Sequence, residues 1–397
     1  FGDYLAMSAV SDASGKKKRP SVKPIMAGAT LGAKTTPAPA TQQKTEGSGW
    51  TKSGNFGIPN LGIKLHSQGL ARSSLSPAGS SSPAPAQKDV PDPNNLVEEK
   101  TLGKGASGVV VLCRDKKTNK QYAVKCINLS QTHAADHGNV EKMIMEEILS
   151  IDNSCPYLVS AHTAYARDKR IHIVQEYIDK GSVYDVLRCH QGPMPEGIMG
   201  KVAEQVLKGL AYLHGVSDKT GKSKMHRDLK PANILVMSSG MVKISDFGVA
   251  TNDSTRGHST FVGTTTYMSP ERIKGEKYST KSDIWAASLT FAECVLGYYP
   301  FRSRTTFIEL LMQITKLQKF EFPPGTSEEC KDFIMAGLRQ RPEDRPDASK
   351  LLQHPFITNN TTTLDDFAKF LATVNVFPED SSKGNPSTLN VQRAGTI

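Results

Sequence analysis

The feature that most restricts what this chain can fold into is a change in composition near residue 94. Residues 1–93 are rich in Ser, Pro, Ala, Gly, Thr and Lys and show little apolar periodicity. Such a segment buries too little apolar surface to offset the entropy lost on ordering, so we predict a disordered tail over 1–93. Apolar and β-branched runs begin at Leu96, and residues 94–357 have the usual length of one folded unit built of two lobes.

The formal net charge of +10 raises the question of a nucleic-acid partner. Residues 1–95 hold eleven Lys or Arg against five Asp or Glu, so more than half of the positive excess lies in or beside the predicted tail. No predicted strand or helix interleaves basic and aromatic residues in the way that a groove for single strands requires. We therefore expect no nucleic-acid partner.

The cysteines and the apolar runs indicate the compartment. The six cysteines stand at no spacing typical of a metal site or a redox pair, which favours a reducing compartment. We expect a cytoplasmic protein, with nuclear entry left open. The most apolar long run, Ile284 to Tyr299, is interrupted by Glu293 and is too short to cross a bilayer, so it predicts a buried core helix and no membrane span.

The predicted elements are mainly strands first and helices afterwards. Two β-branched runs flank the polar turn Asp115 to Lys120, and a further strand is predicted at Ile171 to Tyr177. Apolar residues recur every three or four positions from Val140 to Ile151, which predicts one helix with Glu147 on its inward face. Most later patterns are helical, so the composition of elements is α+β with a β-rich part followed by an α-rich part.

A glycine-rich turn joins the first two predicted strands. A triphosphate needs several backbone N–H donors close to its oxygens, and glycine lets the backbone approach that closely. Gly103, Gly105 and Gly108, followed by Val110, supply such a loop. The pattern alone is equally compatible with a plain glycine turn. A dinucleotide fold is disfavoured, because a helix would follow the glycines there and here a strand follows.

Lys125 lies in the next predicted strand, two residues after Ala123. A lysine at that place can hold α- and β-phosphate oxygens if a carboxylate fixes its side chain. Glu147 on the following predicted helix is the expected partner. A solvated surface pair of Lys and Glu is the alternative, and the motifs farther along the chain decide between them.

The run His226-Arg227-Asp228-Leu229-Lys230-Pro231-Ala232-Asn233 matches the catalytic loop of protein kinases at every defining position. Asp246-Phe247-Gly248 and Ser269-Pro270-Glu271 follow at the expected intervals. The chain therefore resembles the eukaryotic protein kinase family. The resemblance implies a bilobal kinase fold, with a β-rich N-lobe over about 94–178 that carries one regulatory helix and a larger α-helical C-lobe over about 179–357.

The resemblance also implies ATP and Mg²⁺ as cofactors and a role for each motif residue. Asp228 would orient the substrate hydroxyl and accept its proton, and Lys230 would neutralise charge on the transferred phosphoryl group. Asn233 and Asp246 would hold two magnesium ions. Glu271 would form a buried ion pair with Arg345. The residues expected around the adenine are Leu102, Val110, Ala123, Gln175, Leu235 and the backbone of Glu176 to Ile178.

The stretch Phe261 to Ile273 carries Phe-Val-Gly-Thr and Tyr-Met-Ser-Pro-Glu-Arg, and here the chain resembles the mitogen-activated protein kinase kinase family. That resemblance implies a dual-specificity enzyme that phosphorylates Thr and Tyr of a MAP kinase and is activated by an upstream MAP kinase kinase kinase. A Ser/Thr kinase acting at another cascade level, or a pseudokinase scaffold that signals by binding, are the alternatives. Within the activation loop the expected phosphate acceptors are Ser254 and Thr260, with Thr255 and Ser259 left open.

Two segments outside the kinase core resemble docking sites of the same family. Lys16 to Arg19, in the predicted tail, resembles the peptide that grips a substrate kinase, and a nuclear-localisation signal or a merely solvated basic run is an equally good interpretation. Residues 358–397 form a C-terminal extension, whose predicted helix over about 364–374 resembles the docking site for upstream kinases. The alternative for that helix is an amphipathic element packed on the large lobe.

Overall fold

The computed structural model describes a two-lobed core with several gaps and, before it, the backbone of four short strands. The described core comprises residues 90–105, 108–128, 154–168, 170–217, 221–246, 266–301, 307–317, 320–374 and 376. Several predicted features lie outside the described residues: Lys16 to Arg19, Glu147, Phe247, Gly248, Ser254, Thr255, Ser259 and Thr260.

The four short strands lie within the segment for which composition predicts disorder. They are β1 (Gly49–Trp50), β2 (Phe56–Ile58), β3 (Ile63–His66) and β4 (Gly69–Arg72), and they form one antiparallel sheet in chain order. The composition of 1–93 is averaged over a long stretch and conceals a short alternation of apolar and polar residues in β2 and β3. Such alternation is typical of strands with one buried face.

The small lobe is a five-stranded antiparallel sheet. Its strands are β5 (Leu96–Gly105), β6 (Gly108–Asp115), β7 (Gln121–Asn128), β8 (Ala161–Arg167) and β9 (Arg170–Glu176), in the spatial order β5-β6-β7-β9-β8. The turn between β6 and β7 forms because the Asp115 carboxylate accepts the N–H groups of Lys117 and Thr118 at 2.7 and 3.1 Å. This sheet confirms the predicted β-rich N-lobe.

The two faces of the small-lobe sheet carry different residues because side chains alternate along a strand. One face carries Val110, Ala123 and Lys125, which are candidate nucleotide-site residues. The opposite face carries six buried apolar residues, which we call the outer-face cluster: Val111, Cys113, Tyr122, Val124, Tyr165 and Val174. Cross-strand pairs within this cluster are Val111 with Val124, Cys113 with Tyr122, and Val124 with Val174.

The large lobe is mainly helical, as predicted. Its helices are α1 (Val183–His190), α2 (Glu196–Gly215), α3 (Pro270–Ile273), α4 (Lys281–Leu296), α5 (Phe307–Thr315), α6 (Glu328–Gly337), α7 (Ala348–Leu351), α8 (Pro355–Thr358) and α9 (Leu364–Thr373). A small hairpin of β10 (Ile234–Val236) and β11 (Val242–Ile244) lies between α2 and α3 in the chain. Of the described helices, none is long and apolar enough to cross a membrane.

Helix α4 is the centre of the large-lobe core, and its residues from Ser282 to Leu296 are buried. This is the run for which the sequence predicts a buried core helix. Ser288 on this helix faces the neighbouring helix α6, where a Cβ on Gly337 would lie 1.9 Å from Ser288 Oγ. The missing side chain at Gly337 thus allows the two helices to pack closely at this point.

Helix α9 packs its apolar side on the large lobe. Thr363 caps its N-terminus by accepting the N–H of Asp366 at 3.1 Å, and Phe367 and Leu371 are fully buried in the large-lobe core. Asp365 and Lys369 are exposed and form an ion pair. The contacts agree with an amphipathic helix packed on the large lobe, and they leave its charged side available to solvent.

Candidate active site

One buried carboxylate holds the backbone of the loop before β10. Asp283, near the start of α4, is 2% exposed and accepts the backbone N–H groups of His226 and Arg227 at 2.8 and 2.9 Å. His214 Nε2, on α2, lies 2.9 Å from the same carboxylate. Burial acts to raise the pKa of Asp283, but the hydrogen bonds from His214 and the loop outweigh it and lower that pKa.

His226 is fully buried, and its contacts fix which ring nitrogen carries the hydrogen. Nε2 lies 2.7 Å from the carbonyl oxygen of Ser245, and a carbonyl can only accept, so Nε2 donates. Nδ1 then accepts the N–H of Asp228 at 3.2 Å. His226 therefore links the candidate catalytic loop to the segment that leads into Asp246.

Three predicted site residues meet at the end of this loop. Asp228 Oδ2 accepts hydrogen bonds from Lys230 Nζ at 2.8 Å and from Asn233 Nδ2 at 3.2 Å. Asn233 Nδ2 also donates to the carbonyl of Asp228 at 2.7 Å, so both hydrogens of this amide are used on one side. Within the described residues its Oδ1 accepts no hydrogen bond and is left for another partner. The side chain of Asp228 is 22% exposed, so a substrate hydroxyl has access to it.

Lys125 forms its ion pair with Asp246. The two atoms Lys125 Nζ and Asp246 Oδ1 are 2.6 Å apart, with the lysine side chain 2% exposed and the aspartate 28%. Asp246 adopts a positive φ of 61°, which is strained for a non-glycine residue and turns the chain at this point. The sequence predicts Glu147 as the partner of Lys125, and that residue lies outside the described part of the chain.

The predicted nucleotide-site residues lie on the strands between the lobes. Val110 pairs with Lys125 across β6 and β7, and Ala123 pairs with Gln175 across β7 and β9. Leu102 and Leu235 are half-buried, on β5 and β10 respectively. Apolar side chains that remain partly exposed in this region can cover the faces of a planar ring.

Glu176, the last residue of β9, is held by contacts that include a lysine of the large lobe. The Glu176 carboxylate accepts Lys243 Nζ at 2.7 and 2.9 Å and also the N–H of Ser160 at 2.7 Å. Ile178 is buried. The contacts of Glu176 thus fix one end of the backbone that is expected to face the adenine edge.

The predicted glycine loop is a tight hairpin. Gly103 pairs with Val110, and Gly105 pairs with Gly108. Gly108 has a φ of +127°, and a Cβ there would lie 2.1 Å from the carbonyl oxygen of Cys126. Only glycine fits this position, because both the backbone angle and the space exclude a side chain.

The predicted pair of Glu271 and Arg345 is present and buried. Its two hydrogen bonds, Nη1 to Oε1 and Nη2 to Oε2, measure 2.9 and 2.8 Å, and the side chains are 3% and 0% exposed. Burial acts to raise the pKa of Glu271, but hydrogen bonds from Arg345 and Ser282 outweigh it and lower the pKa to about 2. This pair joins α3 to the segment before α7.

A buried acid near the site was missed in the sequence. Glu293, on α4, accepts a hydrogen bond from the hydroxyl of Tyr267, which lies just before α3. Tyr299 packs edge-on against Tyr267 and donates to the carbonyl of Thr266. Burial raises the pKa of Glu293. In the sequence, Glu293 is a single charge within an otherwise apolar run. That charge argues against a membrane span, but it does not by itself indicate a role near the site.

Comparison with known proteins agrees with this geometry. Residues 96–357 match the family described as Protein kinase domain. The chain is 36% identical over 320 residues to mitogen-activated protein kinase kinase 1c of Physcomitrium patens, covering 77% of this chain and 89% of that protein. It belongs to the mitogen-activated protein kinase kinase family.

Other members of the mitogen-activated protein kinase kinase family match at a similar level. Mitogen-activated protein kinase kinase 2 of Arabidopsis thaliana is 37% identical, covering 78% of this chain and 83% of that protein. The dual specificity mitogen-activated protein kinase kinase dSOR1 of Drosophila melanogaster is 35% identical over 72% of this chain and 76% of that protein. The chain is therefore an ATP-dependent dual-specificity protein kinase of this family.

Proposed function

We propose that this kinase phosphorylates threonine and tyrosine of a MAP kinase and is itself activated by an upstream MAP kinase kinase kinase. The observation that carries the catalytic part is the meeting of Asp228, Lys230 and Asn233 on a loop anchored by Asp283. The names of the relatives, all mitogen-activated protein kinase kinases, support the substrate class.

Each site residue has a distinct part in the proposed transfer. Asp228 orients the substrate hydroxyl and takes its proton as the new O–P bond forms, and Lys230 offsets negative charge on the transferred phosphoryl group. Lys125 holds phosphate oxygens of ATP. The side chains Leu102, Val110, Ala123 and Leu235 cover the adenine, with Gln175 behind it and the backbone of Glu176 to Ile178 at its edge.

Magnesium fits the donor set around Asp246. The carboxylate of Asp246 and the Oδ1 of Asn233 are hard oxygen donors of the kind that Mg²⁺ prefers. The Asn233 amide hydrogens are both used by Asp228, which orients its oxygen away from that residue. When bound, Mg²⁺ would offset phosphate charge, and Asn233 and Asp246 are the residues that would hold it.

Activation is expected to follow phosphorylation of Ser254 and Thr260. Phosphate placed there would pair with Arg227, whose backbone is already fixed by Asp283, and so would order the loop. The basic run Lys16 to Arg19 is proposed to dock the substrate kinase, and the charged side of α9 to dock the upstream kinase. Cytoplasmic location, with nuclear entry, agrees with such a place in a cascade.

The catalytic proposal is tested with Asp228→Asn in the full chain. The substrate is a MAP kinase whose own catalytic site is disabled, and the matched control is Asp332→Asn, an exposed aspartate on α6. We expect Asp228→Asn to lower kcat by about 10²-fold or more with ATP binding retained, because it removes only the base. Unchanged kcat in this variant would refute the assignment, and wild-type protein that binds ATP without any transfer would favour a scaffold.

The activation proposal is tested with two double variants. Ser254→Ala with Thr260→Ala should abolish activation by an upstream kinase, whereas Thr255→Ala with Ser259→Ala should retain it. Phosphosite mapping by mass spectrometry accompanies the activity assay. If the second pair loses activation and the first retains it, the acceptors are Thr255 and Ser259 instead.

A further inference from the structure

The outer-face cluster of the small lobe is shielded from solvent. An antiparallel sheet can leave one face in water, and that face then carries polar residues. Here the face opposite Lys125 carries the apolar outer-face cluster beside Thr163 and His172, and each of the six residues in the cluster is 9% exposed or less. Among the residues whose side chains the structure describes, the partly buried apolar residues packed against the cluster are Leu96, Val109 and Cys126, which belong to the same sheet. The cover must therefore come from another part of the chain.

The sheet β1–β4 has the pattern of a one-sided cover. Residues in one cross-strand row of an antiparallel sheet share a face. One row is apolar from end to end: Trp50, Phe56, Leu65 and Leu70. The neighbouring row, on the opposite face, is small or polar: Gly49, Gly57, Lys64 and Ala71. A sheet of this kind needs a partner for its apolar face.

The two sheets lie next to each other. Cα atoms of β4 come within 8 Å of Cα atoms of β8, although each sheet has its own hydrogen-bonded order. Strand β8 is the edge of the small-lobe sheet, and it contributes Tyr165 to the outer-face cluster. The apolar face that needs a partner and the apolar face that is covered thus belong to neighbouring sheets.

We propose that β1–β4 forms a cap over the outer-face cluster and that this cap keeps the nucleotide-binding strands in their active arrangement. The reason for the second part is the alternation of side chains along β6 and β7. Val124 lies in the outer-face cluster, and the next residue, Lys125, points to the opposite face. Cys126 follows, and its carbonyl lies against Gly108. Holding one face of these strands therefore restricts the other.

Native cysteines report on the cap without any added probe. Cys113 belongs to the outer-face cluster and Cys126 lies beside it, whereas Cys294 and Cys330 are fully buried in the large-lobe core. Burial raises the pKa of the Cys113 thiol to about 11 and that of Cys330 to about 12. Both thiols are thus slow to react in the folded state, and Cys189, which is exposed, labels first.

The experiment compares Leu65→Ser with Lys64→Ser in the full chain. These neighbours occupy opposite faces of β3, so the control places the same serine on the same strand but on its other face. Labelling by a thiol reagent, mapped by mass spectrometry, should be about tenfold or more faster at Cys113 and Cys126 in Leu65→Ser, because the cap opens more often. Lys64→Ser should label like the wild type, and Cys330 should be unchanged in both.

Three results would overturn the cap. They are wild-type labelling at Cys113 in Leu65→Ser, equal acceleration in the two variants, and equal acceleration at Cys113 and Cys330, which is general unfolding. If Leu65→Ser does not fold, Leu65→Ala replaces it, and the same labelling results at Cys113 and Cys330 decide the outcome.

The second part of the proposal rests on the proposed kinase activity and has its own readout. In Leu65→Ser the KM for ATP should rise, because the nucleotide-binding strands are less restricted. Faster labelling with an unchanged KM would overturn this part. The labelling itself needs no phosphotransfer, so failure of the cap and failure of the kinase assignment give different results.

Discussion

The buried ion pair of Arg345 and Glu271 provides the sharpest stability prediction. Arg345 makes two hydrogen bonds to the Glu271 carboxylate and three more to the carbonyls of Arg339, Lys281 and Gln340, at 2.7, 3.1 and 3.0 Å. Its guanidinium lies 5.0 Å from the centre of the Trp285 ring. No other residue can satisfy the carboxylate and all three carbonyls together, because this requires the planar fork of arginine.

Arg345→Ala should lower the free energy of unfolding by about 3 to 5 kcal/mol, since it leaves a carboxylate buried without its counter-charge. Arg345→Lys should also destabilise, because the two parallel hydrogen bonds are lost while the charge stays. Urea unfolding followed by tryptophan fluorescence measures the change, and Trp285 beside Arg345 reports on this region.

The matched control is Arg341→Ala, four residues away. Arg341 also pairs with a glutamate, Glu343, but both side chains are exposed, at 71% and 58%. An exposed pair gains little because water competes for both partners, so the unfolding midpoint should stay unchanged. If Arg345→Ala costs no more than Arg341→Ala, the argument that burial makes this pair essential is wrong.

Three further predictions concern the glycine loop, pH and the buried acid. Gly108→Ala should lower the midpoint of thermal unfolding, because its Cβ would strike the carbonyl of Cys126, and Gly105→Ala, which has open space, should not. The folded-state pKa of Glu271, about 2, lies below its unfolded value near 4.3. The stabilisation by this carboxylate is therefore complete above about pH 5 and is lost as the pH falls toward 2. Midpoints of thermal unfolding measured against pH should show this decline, and Arg345→Ala should make the decline smaller. Glu293→Ala should lower kcat/KM for the protein substrate more than it raises the KM for ATP, because it removes the acceptor of the Tyr267 hydroxyl. Glu293→Gln keeps an acceptor and is the control. Equal effects on both substrates would contradict a role of Glu293 in holding Tyr267.

The local motifs were predictable from sequence because their residues act within a few positions of each other. Asp228, Lys230 and Asn233 lie on one short loop, and the structure brings them into hydrogen-bond contact. Strand and helix patterns are also local, because they repeat every two or about 3.6 residues. They therefore predict a β-rich part followed by an α-rich part.

The long-range contacts were harder to predict. Asp283 anchors the catalytic loop from 57 residues away along the chain from His226, and Lys125 pairs with Asp246 across 121 residues. Neither distance is set by any local period, so only the packed structure reveals them. The pair of Glu271 and Arg345 was expected from the family resemblance alone.

Composition did not indicate the four short strands near the N-terminus. A stretch of 93 residues rich in Ser, Pro and Gly predicts disorder on average, yet four strands form within Gly49 to Arg72. A disorder prediction sums over residues, whereas strand pairing depends on which residues face each other. Leu65 pairs across the sheet with Phe56 on one side and Leu70 on the other, and these pairs are known only from the register.

The most direct test of the whole account is a phosphorylation assay with site mapping. The activated chain is incubated with ATP, Mg²⁺ and a MAP kinase that cannot phosphorylate itself, and modified residues are identified by mass spectrometry. The account predicts phosphate on both a threonine and a tyrosine of the substrate's activation loop, and none with Asp228→Asn. Phosphate only on serine or threonine of unrelated proteins, or no transfer by the wild-type chain, would contradict it.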